Sequence, residues 1–438
     1  FFKQKTAYEI GVRLVGSEMC IRDRGERVMV NEEQFSSKAV AARAQVLRDG
    51  GADVNQVADL LARADSQAAN YGIGIILDGH GRPMPTSPEL MAQTMRAGEE
   101  GAAATYLSSK PLYAELLQQV LSWQRIPKQY WDNFLLVTPS DAGTGAVNTA
   151  VQMFLMMNSK ISALAVEELS WPVYQSIAAS NRIGFDSYAL QDEAVVASNL
   201  LTVMQAAPHN STGYVCPPGI IRARAESCAE SGLPIILDRA YPGFENAGML
   251  ASQGYDAVMQ RSCDHYLLPF LQANCSFALA LSPTKAFRSF TLRPCGLTLV
   301  YEPDEPKRKL LAGAMKTINR GRGSAFEHPA SRAFIRSLVE NRAVLELEHG
   351  QTLQRLADAQ ALWQKLLQGH PLAAAFSTQY AGMFRNLLGS EGCEEAFYQA
   401  HIYPVLAGNR CRINVTGIPL DEDQAQAHID VFARLLSL

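Results

Sequence analysis

An α/β fold with a mostly parallel sheet is predicted by three features of the chain. Short apolar runs alternate with helix-patterned segments from about residue 70 to residue 300. Residues with unusual chemistry follow the carboxyl ends of several of those runs, which is where ligands bind in such sheets. The 438 residues are 47% hydrophobic and 19% charged, a globular composition long enough for two domains. With 39 basic and 43 acidic residues the formal net charge is −4. No basic surface therefore invites a nucleic-acid or membrane-surface partner.

The elements are read in order. Residues 1–24 lack an initiating Met and any helical or strand period; the run resembles the conceptual translation of a sequencing adapter and is expected to be an unpacked or disordered leader. Residues 40–63 carry apolar residues near a 3.6 period, broken at Asp49-Gly50-Gly51. A Gly-rich turn, Asn70-Tyr71-Gly72-Ile73-Gly74, comes next. The strand candidates are 134–137, 161–166, 183–188, 201–206, 234–237, 277–281 and 297–301. A long helical region is expected over 331–367, with one glycine at 350. An amphipathic helix over 421–438 opens on acidic residues that suit a helix N-terminus. The expected organisation is 25–84 as the N-terminal part of a small domain, 85–349 as a large domain, and 350–438 as the C-terminal part of the small one.

Eight cysteines are scattered, with no Cys-x-x-Cys pair and none at zinc-ligand spacing with His. They read as reduced thiols of a cytoplasmic enzyme, and no metal site is expected. The most apolar long stretch, 146–166, is interrupted by Asn148, Gln152, Asn158 and Lys160, too polar to span a bilayer.

Four strand ends carry the chemistry. The first run leads into Ser140-Asp-Ala-Gly-Thr-Gly145 and a helix, so free N–H groups and the helix dipole are offered to an anion. No Gly-Lys-Ser/Thr follows, and the dinucleotide fingerprint lacks its third glycine; alone, this is equally a tight turn. The run 201–206 leads to Pro208-His-Asn-Ser-Thr-Gly213. The run 234–237 ends in Asp238, followed by Arg-Ala-Tyr241. The run 277–281 ends in Ser282-Pro-Thr-Lys285, with Arg293 eight residues on. A lysine among Phe287 and Phe290 is desolvated, which frees its amine as a nucleophile. Each feature alone has a bland explanation, such as a cap, a loop ion pair or a surface lysine. Together they are the set that a pyridoxal phosphate site requires: a lysine for the Schiff base, an acid for the ring nitrogen, donors for the phenolic oxygen, and N–H groups with an arginine for the phosphate.

At this point the chain resembles the fold type I pyridoxal-phosphate enzymes, specifically the class I aminotransferases of the aspartate/aromatic group, from about Asn70 to the C-terminus. The resemblance implies roles residue by residue. Gly74 belongs to an N-terminal loop that closes over substrate. Tyr106 reaches the phosphate of a neighbouring subunit, and Gly143 and Thr144 cradle the phosphate. Trp171 stacks on the cofactor ring. Asn210 and Tyr241 bind the phenolic oxygen, Asp238 the pyridinium, and Ser282 and Arg293 flank Lys285. Arg412, in Arg412-Ile-Asn414, grips the substrate α-carboxylate. Arg320, with Arg322 as a rival, is the expected contact to a distal carboxylate in a partner's site.

The chain departs from the family pattern in two places. Ser211 stands where the family has proline. Val173-Tyr174 follows Trp171-Pro172 where dicarboxylate-specific members have Asn-His, which argues against strict aspartate specificity. The implied activity is transamination between an amino acid, aspartate or aromatic, and 2-oxoglutarate by a ping-pong cycle in a two-fold homodimer. Two alternatives stay open: a carbon–sulfur lyase or synthase on the same scaffold, and a non-catalytic regulatory protein that binds the cofactor.

Overall fold

The computed structural model describes residues 36–101, 108–136, 141–323 and 327–438. The expected leader 1–24 and Tyr106 lie outside the described residues.

A seven-stranded sheet forms the centre. Across it run Phe134–Leu136, Leu297–Tyr301, Phe277–Leu281, Ile235–Arg239, Leu200–Gln205, Ala163–Glu167 and Gly184–Tyr188. The five strands from Phe277–Leu281 to Gly184–Tyr188 pair in parallel, and Leu297–Tyr301 is antiparallel to both its neighbours. The inner strands are apolar on both faces because both are covered. On one side Leu164, Val166, Leu201, Val203, Ile236 and Val300 pack against the helix Ala142–Met157. On the other, Met204, Ile235, Leu237, Phe277, Leu279 and Leu299 meet the helices Tyr113–Trp123, Pro218–Ser231 and Leu250–Tyr266. Each such side chain contributes about 1.5–3 kcal/mol on full burial. Phe277 and Tyr301 also stack across the antiparallel pair, with centroids 5.3 Å apart, adding about 0.5–1.5 kcal/mol. The edge strand Gly184–Tyr188 is mostly exposed and polar, as an edge requires.

A smaller layer is built from both ends of the chain. Its four-stranded antiparallel sheet runs Val405–Ala407, Arg410–Asn414, Phe384–Gly389 and Leu436–Ser437. Tyr71, from the N-terminal end, packs edge-on to Phe432 at 4.8 Å and to Trp363 at 6.3 Å. The helix Val54–Ala64 opens on a capping box between Asp53 and Gln56.

Two expected elements are corrected. The region 331–367 is two helices, Pro329–Glu340 and Arg342–Leu366, because Asn341 leaves helical geometry at φ −132°, ψ 31°. The second helix runs unbroken through the expected boundary at 349/350. The last helix stops at Leu435, because Leu436 and Ser437 pair with Gly389 and Leu388. Among the described residues no helix is long and apolar enough to cross a membrane.

Candidate active site

The carboxyl ends of the parallel strands open onto a cavity of about 350 Å³. Ten residues singled out in the sequence line it: Gly74, Gly143, Thr144, Trp171, Asn210, Asp238, Tyr241, Ser282, Lys285 and Arg293. The topology explains the convergence. Asp238 is near the end of Ile235–Arg239, and Ser282 to Lys285 follow directly on the adjacent strand Phe277–Leu281. Asn210 follows Leu200–Gln205 on the other side.

Asp238 Oδ2 accepts a hydrogen bond from the Tyr174 hydroxyl at 2.6 Å, while Asp238 Oδ1 is buried without a partner among the described residues. Burial pushes the carboxyl up to about 6, against the pull of the Tyr174 hydroxyl, the Lys285 charge and the Ala240 N–H. The Lys285 Nζ lies 5.6 Å from the centre of the Tyr241 ring. Burial pushes its amine down to about 8; Asp238 opposes that shift, and the charges of Arg293 and Arg412 add to it. Asn210 Nδ2 donates to the Tyr241 hydroxyl. Burial raises the Tyr241 pKa, so the phenol stays protonated.

Part of the cavity lining is suited to an anion. Gly143 and Thr144 are in the first turn of Ala142–Met157, whose leading N–H groups have no partner within the helix. That turn is anchored to the Lys285 loop, since Ala142 N–H donates to the Arg293 carbonyl at 2.7 Å. Ala142 takes a positive φ of 45° to do so. A side chain at Gly143 would come within 3.1 Å of Ser282 Cβ, so the helix start sits close against the loop.

Arg412 stands just beyond the cavity lining. Its guanidinium lies 4.5 Å from the centre of the Phe384 ring and donates to Asn55 Oδ1 at 2.7 Å. Its Nε is buried without a partner among the described residues. Arg320 is exposed in the last turn of Glu305–Gly323, away from this chain's cavity. Arg322 donates to Thr149 Oγ1 at 2.6 Å and lines an adjoining hollow that shares Thr144 with the cavity.

Two groups of the site do not stand out in the sequence. Tyr174 appears there only as a departure from the family pattern, yet it holds Asp238. Gln205 lines the cavity and accepts from Asn210 N–H at 2.6 Å. Its signal was a polar side chain at the end of the apolar run Leu200–Gln205.

The donor set fits pyridoxal phosphate. A buried carboxylate oxygen lacks a partner among the described residues, a depressed lysine amine shares its cavity, and a helix start with an arginine lines it beside the lysine loop.

Residues 68–293 match the family model described as aminotransferase class I and II. Aspartate aminotransferase from Pseudomonas aeruginosa is 23% identical over 363 residues, covering 78% of this chain and 87% of that one. The aromatic-amino-acid aminotransferase from Burkholderia pseudomallei, solved covalently bound to pyridoxal phosphate, superposes with a TM-score of 0.72 at 18% identity, over 88% of this chain and 97% of that one. The broad specificity aminotransferase from Leishmania mexicana gives a TM-score of 0.70 at 18% identity, over 99% of this chain and 100% of that one.

Proposed function

The chain belongs to the class I and II aminotransferases, enzymes that depend on pyridoxal phosphate, and we propose that it moves the amino group of an aspartate or aromatic amino acid to 2-oxoglutarate in a ping-pong cycle. The observation that carries this reading is Lys285 and Asp238 facing one cavity, with Asp238 Oδ1 buried and unpartnered among the described residues.

When bound, the cofactor supplies an electron-withdrawing ring that stabilises negative charge at the substrate α-carbon. Lys285 would hold the cofactor covalently. Its amine, once neutral, accepts the proton from the α-carbon and returns it. Asp238 would hold the proton of the ring nitrogen, and Asn210 with Tyr241 would hold the phenolic oxygen. Gly143, Thr144, Ser282 and Arg293 would hold the phosphate. Trp171 and the loop at Gly74, which line the cavity, would cover the ring and exclude water. Arg412 would orient the α-carboxylate through a bidentate fork, worth about 1.5–3 kcal/mol per charged hydrogen bond. Donor and acceptor use the same arginine, which supports one site visited in turn by both.

The same proposal includes a two-fold homodimer, with Tyr106 and Arg320 acting in the neighbouring site, and a cytoplasmic location. The seven cysteines among the described residues are free thiols, which supports the latter.

The test is Lys285→Ala in the purified protein, read by the visible absorbance of the bound cofactor and by amino transfer to 2-oxoglutarate. Both are expected to vanish. A variant that keeps colour and turnover would refute the assignment.

A further inference from the structure

The helix Val173–Ser180 begins directly after Trp171-Pro172, so Trp171 and Tyr174 share one turn. Their rings meet edge-on, with centroids 5.5 Å apart at 83°. That turn gives the cavity an indole wall and sends the Tyr174 hydroxyl beneath it to Asp238 Oδ2 at 2.6 Å.

The bond belongs to a buried chain of polar groups. Gln205 Nε2 approaches the Tyr174 hydroxyl at 3.4 Å. Gln205 Oε1 accepts from Asn210 N–H at 2.6 Å, and Asn210 in turn donates to Tyr241. Gln205 N–H donates to Glu167 Oε2 at 2.9 Å, and Glu167 Oε1 pairs with Arg224 at 2.9 Å. Gln205 and Asp238 are register partners on adjacent parallel strands, so their side chains leave the same face of the sheet.

We propose that Tyr174 is a positioning residue for this enzyme. Its hydroxyl pins Asp238 Oδ2 and so fixes how the carboxylate lines the cavity, and Gln205 links that bond to the Asn210–Tyr241 pair. The inference rests on Asp238 as the partner of the ring nitrogen.

The chemistry favours a phenol here. A carboxylate with one oxygen held by a strong donor keeps its charge and cannot rotate. The titratable and charged groups facing Asp238 are Tyr174 from the helix, Glu167 from a nearby strand with Arg224 paired to it, Tyr241 just past its own strand, and Lys285 from the loop. Burial and the Asp238 charge hold the Tyr174 phenol well above its usual range, so it donates across the whole working pH range.

The experiment compares the wild-type chain, Tyr174→Phe and Tyr188→Phe. Tyr188 is the control: its hydroxyl donates to the Val203 carbonyl at 2.7 Å on the same sheet, without contact to Asp238. Each apoprotein is titrated with pyridoxal phosphate from pH 5 to 9, and the dissociation constant is read from the visible band. Tyr174→Phe keeps the ring against Trp171 and removes one charge-assisted bond. It is expected to weaken cofactor binding ~10-fold or more at pH 8 and to move the acid limb of binding upward by about one pH unit. In the reconstituted enzyme kcat is expected to fall while KM for the amino acid stays within about twofold. Tyr188→Phe is expected to leave the acid limb in place.

A Tyr174→Phe variant with the wild-type dissociation constant and acid limb would overturn the assignment. So would a Tyr188→Phe variant that shifts both equally, since general softening of the sheet would then explain the effect. If the wild-type chain itself fails to bind pyridoxal phosphate, the functional reading falls along with this one. Normal wild-type binding with an unmoved variant overturns the Tyr174 role alone.

Discussion

Lys285 and Asp238 set the pH behaviour of the site through two opposing effects. Burial disfavours both charges, and their mutual attraction favours both; burial wins for each, leaving the amine at about 8 and the carboxyl at about 6. Only the neutral amine is a nucleophile. Reconstitution of the apoprotein is therefore expected to accelerate as pH rises through about 8, and to weaken as pH falls through about 6, where Asp238 takes up a proton. Asp238→Asn removes the carboxylate that raises the lysine. Its alkaline midpoint is expected below that of the wild type, measured by stopped-flow absorbance. An unmoved midpoint would show that the two groups do not sense each other. At this scale the sequence was informative about identities: the Ser282-x-x-Lys285 spacing and Asp238 past an apolar run were legible. The partner of Asp238 was not, because Tyr174 is 64 residues away in sequence and no local pattern announces such a bond.

Among the elements, the strand Ala163–Glu167 and the helix Pro218–Ser231 are joined by the ion pair of Glu167 and Arg224, whose side chains are 4% and 0% exposed. Arg224 also donates to the carbonyls of Leu190 and Asp192, at 3.0 and 2.9 Å. Breaking the pair leaves one buried charge without its counter-ion, which costs about 3–5 kcal/mol. Arg224→Ala is therefore expected to lose about that much in chemical denaturation. Replacing both partners with Met and Leu is expected to cost much less, since no lone charge remains. A single variant as stable as the double would remove the ion pair from the stabilising contacts. The strands of the central sheet were legible to within a residue or two, the inner ones because a doubly covered sheet demands unbroken apolar runs. The break at Asn341 was not, since the apolar period continues on either side of it.

At the scale of the molecule, the two chain ends meet around Arg412. The strand Arg410–Asn414 carries it, and the N-terminal segment supplies the Asn55 side chain at 2.7 Å and the Gly72 carbonyl at 3.3 Å. Arg412→Lys replaces a planar fork by a single ammonium that cannot make the same paired contacts. It is expected to raise KM for every amino-acid donor by about 10–100-fold, with the cofactor dissociation constant unchanged. A loss of cofactor binding instead would place Arg412 in the cofactor's shell rather than the substrate's.

By itself, the sequence determined the parallel α/β sheet and the chemistry at its strand ends, because burial pattern and residue type are local properties. Tertiary structure decided the rest. It put Gly143 against Ser282, tied Asp238 Oδ2 to Tyr174 at the edge of the cavity, and set Gln205 between that pair and Asn210. Such contacts join residues from separate strands and helices. Their geometry depends on strand order and register, which emerge only when the whole sheet is packed.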